Sequence, residues 1–252
     1  ENGHKVINPN HILRIDPTVF DSIDTEEKAY WLGFLYADGA VGTNNHLIYL
    51  GLAKKDEKHI QKFANFLKFT GKLYYGISKN PKIGNFENVK FQVSNKHLHD
   101  RLIELGCVAR KSTILTFPDT SIFKSDDLIR HFIRGYFDGD GTLTFNSTRQ
   151  QPAFGVVGTE AFLQKLMEYL PHQAKIGQEK VNLYHFTLHD GKKKQKATDC
   201  MKYLYDNASI YLDRKYQRYL QYCRLVEEST RLSQGKIGEG CDANPEITEQ
   251  IA

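Results

Sequence analysis

Two stretches decide the reading: Tyr30-Trp-Leu-Gly-Phe-Leu-Tyr-Ala-Asp-Gly39 and Phe132-Ile-Arg-Gly-Tyr-Phe-Asp-Gly-Asp-Gly141. Both set Gly-x-x-x-x-Asp-Gly inside an apolar, aromatic run. The second aspartate, Asp140, follows the first, Asp38, by 102 residues, the length of one small domain. Arg110-Lys111 recurs as Arg214-Lys215, 104 residues later, so the Asp-to-Lys distance is 73 residues in one copy and 75 in the other. Two short matches, in the same order and at nearly the same spacing, indicate an internal duplication.

Each copy reads outward from its motif as helix, strands, helix, strands, helix. In the first, Asp24 is expected to cap a helix running to about Ala37, with Glu27 completing a capping-box pattern. Strands follow over 40–53 around an Asn44-Asn45 turn, then a helix over 56–69 with apolar residues at helical spacing. Strands at 73–78 and 89–94 precede a helix over 95–105, closed by Gly106. The second copy starts at Ser125, with Asp126 and Asp127 in the first helical turn. Strands are expected at 142–146 and 153–157, a helix at 160–169, and strands at 174–177 and 183–189. Helices over 196–207 and 214–225 complete it. A strand at 12–15 and a loose segment after Ser233 are the remaining expectations. The domain reading is an N-terminal extension over 1–24, domains over 25–122 and 123–226, and an acidic tail over 227–252.

Composition bounds the function. The 252 residues are 40% hydrophobic and 25% charged, ordinary for a globular protein. Net charge is +4, but residues 227–252 hold six acids and two bases, leaving +8 on residues 1–226. Such an excess suits a polyanion partner. No apolar run reaches membrane-spanning length and no signal-peptide pattern opens the chain, so an intracellular, soluble protein in the cytoplasm or an organelle matrix is expected. The four cysteines form no CxxC pair and the ten histidines no HExxH, which removes the common zinc-finger and zinc-protease readings.

The chemistry sits at the motif ends. Gly33 with Ala37, and Gly135 with Gly139, lie at i and i+4 on one helix face, so two such helices can approach closely. Paired through these faces, they leave Asp38 and Asp140 side by side at their carboxyl ends. Two carboxylates there repel each other and oppose the negative dipole ends. A divalent cation removes both objections, and oxygen-only ligation favours Mg2+. An EF-hand reading of Asp138-Gly-Asp140-Gly-Thr142 fails, because the sixth and twelfth loop positions are Leu143 and Arg149 rather than Gly and Glu.

On these residues the chain resembles the LAGLIDADG homing endonucleases in their single-chain, two-motif form. The motifs are Trp31 to Gly39 and Ile133 to Gly141, and the resemblance runs from about Thr25 to Leu225. It includes Arg-Lys-Ser-Thr-Ile-Leu-x-Phe-Pro at Arg110 to Pro118 and Leu-x-Arg-Lys-Tyr at Leu212 to Tyr216. The resemblance implies an α+β fold: two pseudo-symmetric αββαββα domains whose antiparallel sheets form a DNA-binding saddle. It implies a monomer with an internal pseudo-twofold axis, acting on double-stranded DNA at an extended, nearly asymmetric site. It places metal on Asp38 and Asp140, with the carbonyls of Ala37 and Gly139 joining, and Mg2+ as cofactor, Mn2+ or Ca2+ substituting for binding. Lys111 and Lys215 match basic residues near each scissile phosphate. Cuts across the minor groove, leaving 3′-hydroxyl and 5′-phosphate ends with short 3′ overhangs, complete the implied activity.

Base reading is expected from the sheets, since a two-stranded ribbon fits the major groove. Alternation puts Lys90, Gln92 and Ser94 opposite Phe91 and Val93. In the same way Thr142, Thr144 and Asn146 oppose Leu143 and Phe145, and His185, Thr187 and His189 oppose Tyr184, Phe186 and Leu188. Asn44, Arg149 and Gln151 join these candidates. Lys192 and Lys193, in a run ending at Lys196, are phosphate-contact candidates, with a solvated basic loop as the alternative. An RNA maturase and a non-cleaving DNA-binding regulator fit the same scaffold. Both motif acids are intact, which favours cleavage. The chain opens at Glu1 and closes at Ile251-Ala252, without the Cys or Ser start and His-Asn end of a self-splicing intein. A group I intron or free-standing origin is therefore expected, with an endonuclease domain cut from an intein left open.

Overall fold

The computed structural model describes residues 15–43, 45–80, 84–108, 114–146, 151–191 and 194–238, with the side chains of Asn80, Asn146 and residues 228–238 left aside. The first motif forms α1 (Glu26–Ala37), followed by β1 (Gly39–Val41), β2 (Leu47–Ala53), α2 (Glu57–Phe66), β3 (Tyr74–Asn80), β4 (Gly84–Ser94) and α3 (Lys96–Glu104). The second motif forms α4 (Asp127–Asp140), followed by β5 (Gly141–Asn146), β6 (Gln151–Gly158), α5 (Glu160–Met167), β7 (Gly177–Lys180), β8 (Leu183–His189), α6 (Lys196–Tyr205) and α7 (Asp213–Gly238). The fold is α+β. Each half is αββαββα, with α7 added after the second.

Two antiparallel sheets have the same topology, β1-β2-β4-β3 and β5-β6-β8-β7. Register fixes which residues share a face. Leu50 pairs with Phe91 and Leu143 with Phe154, and all four are buried under the helices. Their sequence neighbours must then face away. Lys90, Gln92, Ser94, Thr142, Thr144, His185, Thr187 and His189 accordingly lie on the helix-free faces.

Several local expectations shift. Thr25, not Asp24, caps α1, its hydroxyl accepting from the Lys28 backbone N–H at 3.3 Å, while Asp24 pairs with Lys28 at 2.8 Å. A carboxylate one position too early cannot reach the N3 amide, and a β-region Thr can. The strand expected at 174–177 lies at 177–180, where Gly177 pairs with His185. Helix α7 runs to Gly238, through a stretch expected to belong to the tail. The strand expected at 12–15 lies largely outside the described residues, and Ile15 itself is a buried core residue outside any strand. Asp190 and not the N-cap residue satisfies the start of α6, accepting from Ala197 at 2.7 Å and Thr198 at 3.1 Å. No helix among the described residues is long and apolar enough to cross a membrane.

Aromatic rings cluster in the core around the motif helices. Tyr30, Trp31 and Phe34 surround His59, with ring centroids 4.6 to 5.8 Å from the imidazole. In the second half Phe137 stacks on Phe154 at 4.3 Å. These side chains anchor both motif helices to their sheets, which fixes the direction in which the helix ends point.

Candidate active site

The glycines of the repeat have a steric role. A methyl on Gly33 would stand 1.9 Å from the Phe132 carbonyl oxygen, and one on Gly135 would stand 1.9 Å from the Tyr30 oxygen. Each helix therefore lays its backbone directly on the other, as the small residues predict. The contact repeats one turn on. At Gly139 a methyl would meet Ala37 Cβ at 2.3 Å and Asp38 Oδ2 at 3.1 Å. The carboxylate of Asp38 thus reaches across the helix pair onto the residue preceding Asp140. Both acids are half-buried at the carboxyl ends of α1 and α4.

Lys215 closes this centre from α7. It is 3% exposed, and its ammonium donates to the carbonyl oxygens of Phe137 and, at 2.6 Å, Gly141. Phe137 lies in the last turn of α4, where its oxygen also accepts the backbone N–H of the cap residue Gly141. Burial pushes the Lys215 ammonium down to about 8, against the attraction of Asp138, Asp38 and Asp140. Lys215 is thus near both motif acids and engaged with the backbone between them. Tyr136 completes the wall: burial, then the Asp140 carboxylate that its hydroxyl meets, hold its phenol well above the ordinary range.

Beneath lies a second, buried carboxylate that spacing did not single out. Asp138 is 0% exposed and accepts from Tyr30 at 2.7 Å, Tyr205 at 2.5 Å and the Leu212 backbone N–H at 2.7 Å. Burial raises its carboxyl, opposed by Lys215 and by these three donors. Through it α1, α6 and the start of α7 are joined to α4. Arg134, also 0% exposed, adds a second tie, donating to Glu26 at 2.6 Å and to the carbonyls of Leu204 and Ile210. The apolar surroundings of residue 138 were the available signal. An acid two positions before Asp140, inside an aromatic run, needs donors from elsewhere in the fold.

The remaining sequence candidates divide clearly. Lys90 is half-buried and Gln92 exposed on the first open face, where Tyr49, Tyr74 and Phe86 join them. Ser94 also lies there, but its hydroxyl donates to the Asn45 carbonyl at 3.0 Å. On the second open face Thr142, Thr144, His185 and Thr187 line a groove floored by Ala153 and Gly155, with Glu179 at its edge. His189 is exposed one register position beyond, opposite Ala153. Gln151 pairs with Asn146 at the end of the β5–β6 ladder. Asn44, Lys111, Arg149, Lys192 and Lys193 lie outside the described residues.

No protein-family profile matches the chain. Solved structures do match in fold. A double mutant of I-SmaMI superposes with a TM-score of 0.53 at 11% identity, covering 84% of this chain and 95% of that one. LAGLIDADG meganuclease I-CpaMI, bound to uncleaved DNA, gives 0.52 at 14% identity, with the same coverage of 84% and 95%. This is the LAGLIDADG homing-endonuclease fold. I-SmaMI bound to cleaved DNA gives 0.51 at 13% identity, over 81% and 90% of the two chains. Among curated proteins, the replication factor C small subunit of Methanocaldococcus jannaschii is 30% identical over 146 residues. That alignment covers 58% of this chain and 7% of the relative, so the chain spans a small fraction of the curated protein it matches. Within the LAGLIDADG fold, the two motif helices form the central contact between the halves and carry Asp38 and Asp140 at one end of it.

Proposed function

We propose that the chain is a site-specific double-strand DNA endonuclease in which Asp38 and Asp140 hold divalent metal over the two scissile phosphates. One observation carries the reading: the Asp38 carboxylate lies 3.1 Å from the place a Gly139 Cβ would occupy, so two acids from two helix ends share one small volume. The donor set fits a hard cation. Two carboxylates stand at the negative ends of two helices, with the terminal carbonyls of Ala37 and Gly139 beside them. The Lys215 ammonium donates its hydrogen bonds to the Phe137 and Gly141 oxygens. Magnesium is the proposed occupant, with manganese or calcium able to bind in its place.

When bound, such cations supply a nucleophilic water for in-line attack on phosphorus and stabilise the leaving 3′ oxygen. The chain's own residues do the rest. Gly33 and Gly135 set the separation of the two acids. Lys215, held at the end of α4, presents positive charge beside Asp140, where charge builds on the phosphoryl oxygens. Lys111 is proposed for the same place in the first half, by its matching distance from Asp38. The helix-free sheet faces are proposed to enter the major groove, with Lys90, Gln92, Thr142, Thr144, His185, Thr187 and His189 toward base edges. Asn44, Ser94, Asn146, Arg149, Gln151, Lys192 and Lys193 are proposed as flanking contacts. The excess positive charge on residues 1–226 suits the phosphate backbone. Both motif acids are present, at the ends of two helices in direct contact, which favours cleavage over a purely binding or splicing-accessory role.

The test is a plasmid bearing a selected target, with Mg2+ present. Asp38→Asn and Asp140→Asn should each lose double-strand cutting while retaining the gel shift of the target duplex. Full linearisation by both variants rules the metal assignment out.

A further inference from the structure

A second cluster of ligating side chains lies away from the motif acids. His46, in the turn between β1 and β2, and His99 and Asp100, on α3, bring one donor atom each within 4.8 Å of one another. The His46 and His99 rings meet edge to face, with centroids 5.2 Å apart. His99 Nε2 lies 2.8 Å from the Gly42 carbonyl oxygen, which can only accept, so this nitrogen carries the proton. That leaves Nδ1 as the lone-pair nitrogen of the neutral ring. It faces Asp100 Oδ1 at 3.0 Å, also a lone-pair atom. Either a second ring proton or a metal ion between the two satisfies both atoms. An imidazole that gives its other N–H to a backbone carbonyl is oriented as a metal-bound histidine is.

We propose that His46, His99 and Asp100 form a transition-metal site, selective for zinc-like ions and separate from the all-oxygen centre at Asp38 and Asp140. Two imidazoles and one carboxylate are ligands for Zn2+ and poor ones for Mg2+, and a water would fill the fourth position. Zinc ligands sit roughly 2.0–2.2 Å from the ion, hence roughly 3.4 Å from one another, so the His99–Asp100 pair at 3.0 Å must open slightly while His46 closes on it. His46 is free to do this. It is partly exposed, and it stands in a turn with a left-handed φ of 48°. Lys96 pairs with Oδ2 of Asp100 and not with Oδ1, and its side chain is 74% exposed, so it can swing aside. The site would tie the β1–β2 hairpin to α3. Asn95 already makes part of that connection, donating its backbone N–H to the His46 carbonyl at 3.1 Å. Because β1 begins at Gly39, the metal would stiffen the strand that leaves Asp38.

The experiment uses the full chain without a polyhistidine tag, stripped by chelator and then held in millimolar Mg2+ to occupy the motif acids. Titration with Zn2+ by calorimetry should show one saturable site, and Co2+ should give visible d–d bands. His46→Ala, a partly exposed change that leaves the core intact, should weaken Zn2+ binding by about tenfold or more and remove the zinc-induced rise in Tm. Asp100→Asn should weaken it as well. An Asp38→Asn/Asp140→Asn variant should bind Zn2+ as the parent does. The proposal is overturned by the absence of saturable binding, the result expected if a His99 imidazolium satisfies the same geometry. Binding that survives His46→Ala and disappears with the motif acids overturns it equally.

Discussion

The Tyr30 hydroxyl on the first motif helix donates to the carboxylate of Asp138 on the second at 2.7 Å, with both residues fully buried. The same hydroxyl oxygen lies 3.0 Å from His59 Nε2, so a neutral imidazole, a phenol and a carboxylate run in series across the junction of the halves. Tyr30→Phe keeps the ring and removes the donor. Leaving a buried carboxylate short of one hydrogen bond costs about 1–3 kcal/mol, and a urea midpoint lowered by that energy divided by the unchanged slope is the expected result. A variant as stable as the parent contradicts the assigned role of this contact.

Gly135→Ala should be costly in spite of alanine's better helix propensity. Its methyl would stand 1.9 Å from a backbone oxygen of the partner helix, an atom that cannot turn aside. Overpacking of this kind costs about 1–3 kcal/mol, and here the helices must separate. Gly191→Ala, with nothing within 4 Å of the added methyl, is the matched control and should be neutral by the same denaturation assay.

Much of this arrangement was legible in the sequence, and the reason is geometric. The helix pair requires glycine at fixed positions, and a strict steric demand leaves a mark that one sequence shows twice. Strand alternation carried the sheet faces for the same reason, since Leu143 and Phe186 must be buried where Thr142 and His185 are not. Asp138 and Arg134 left no such mark. Their partners Tyr205, Leu212, Glu26 and Ile210 come from elements 67 to 108 residues away, and no local spacing encodes such a meeting. Helix α7 extends past the expected end at residue 225; its later turns are polar and glycine-containing, and polar helices lack the periodicity that identifies a buried face.

Acid should destabilise the chain through His59. Burial, assisted by Lys62 and Arg214, holds this imidazole down to about 3 in the folded state. Above pH 6.5 neither state binds the proton, and the group makes no pH-dependent contribution. Below 6.5 the unfolded chain is protonated and the folded one is not, so stability falls, by up to about 1.4 kcal/mol per pH unit, until pH reaches about 3. Replacing His59 with Gln should flatten this limb in urea midpoints measured from pH 7 to 4. An equally steep limb in the variant refutes the assignment.

The two open faces differ in kind, aromatic in the first half and lined with threonine and histidine in the second. Gln92→Ala and Thr187→Ala should therefore alter base preference in opposite half-sites, by about 1–3 kcal/mol at the positions they read. Binding to a panel of single-base variants of the target measures this. Changes confined to one half-site for both variants would contradict the placement.

The most direct measurement is selection from a randomised duplex library, with Mg2+, followed by sequencing of the cut ends. The parent chain should yield a defined sequence, both strands severed with short 3′ overhangs, and nothing with chelator or with the Asp38→Asn/Asp140→Asn variant. A library left intact by the parent, or cut equally by the doubly substituted chain, would contradict the account.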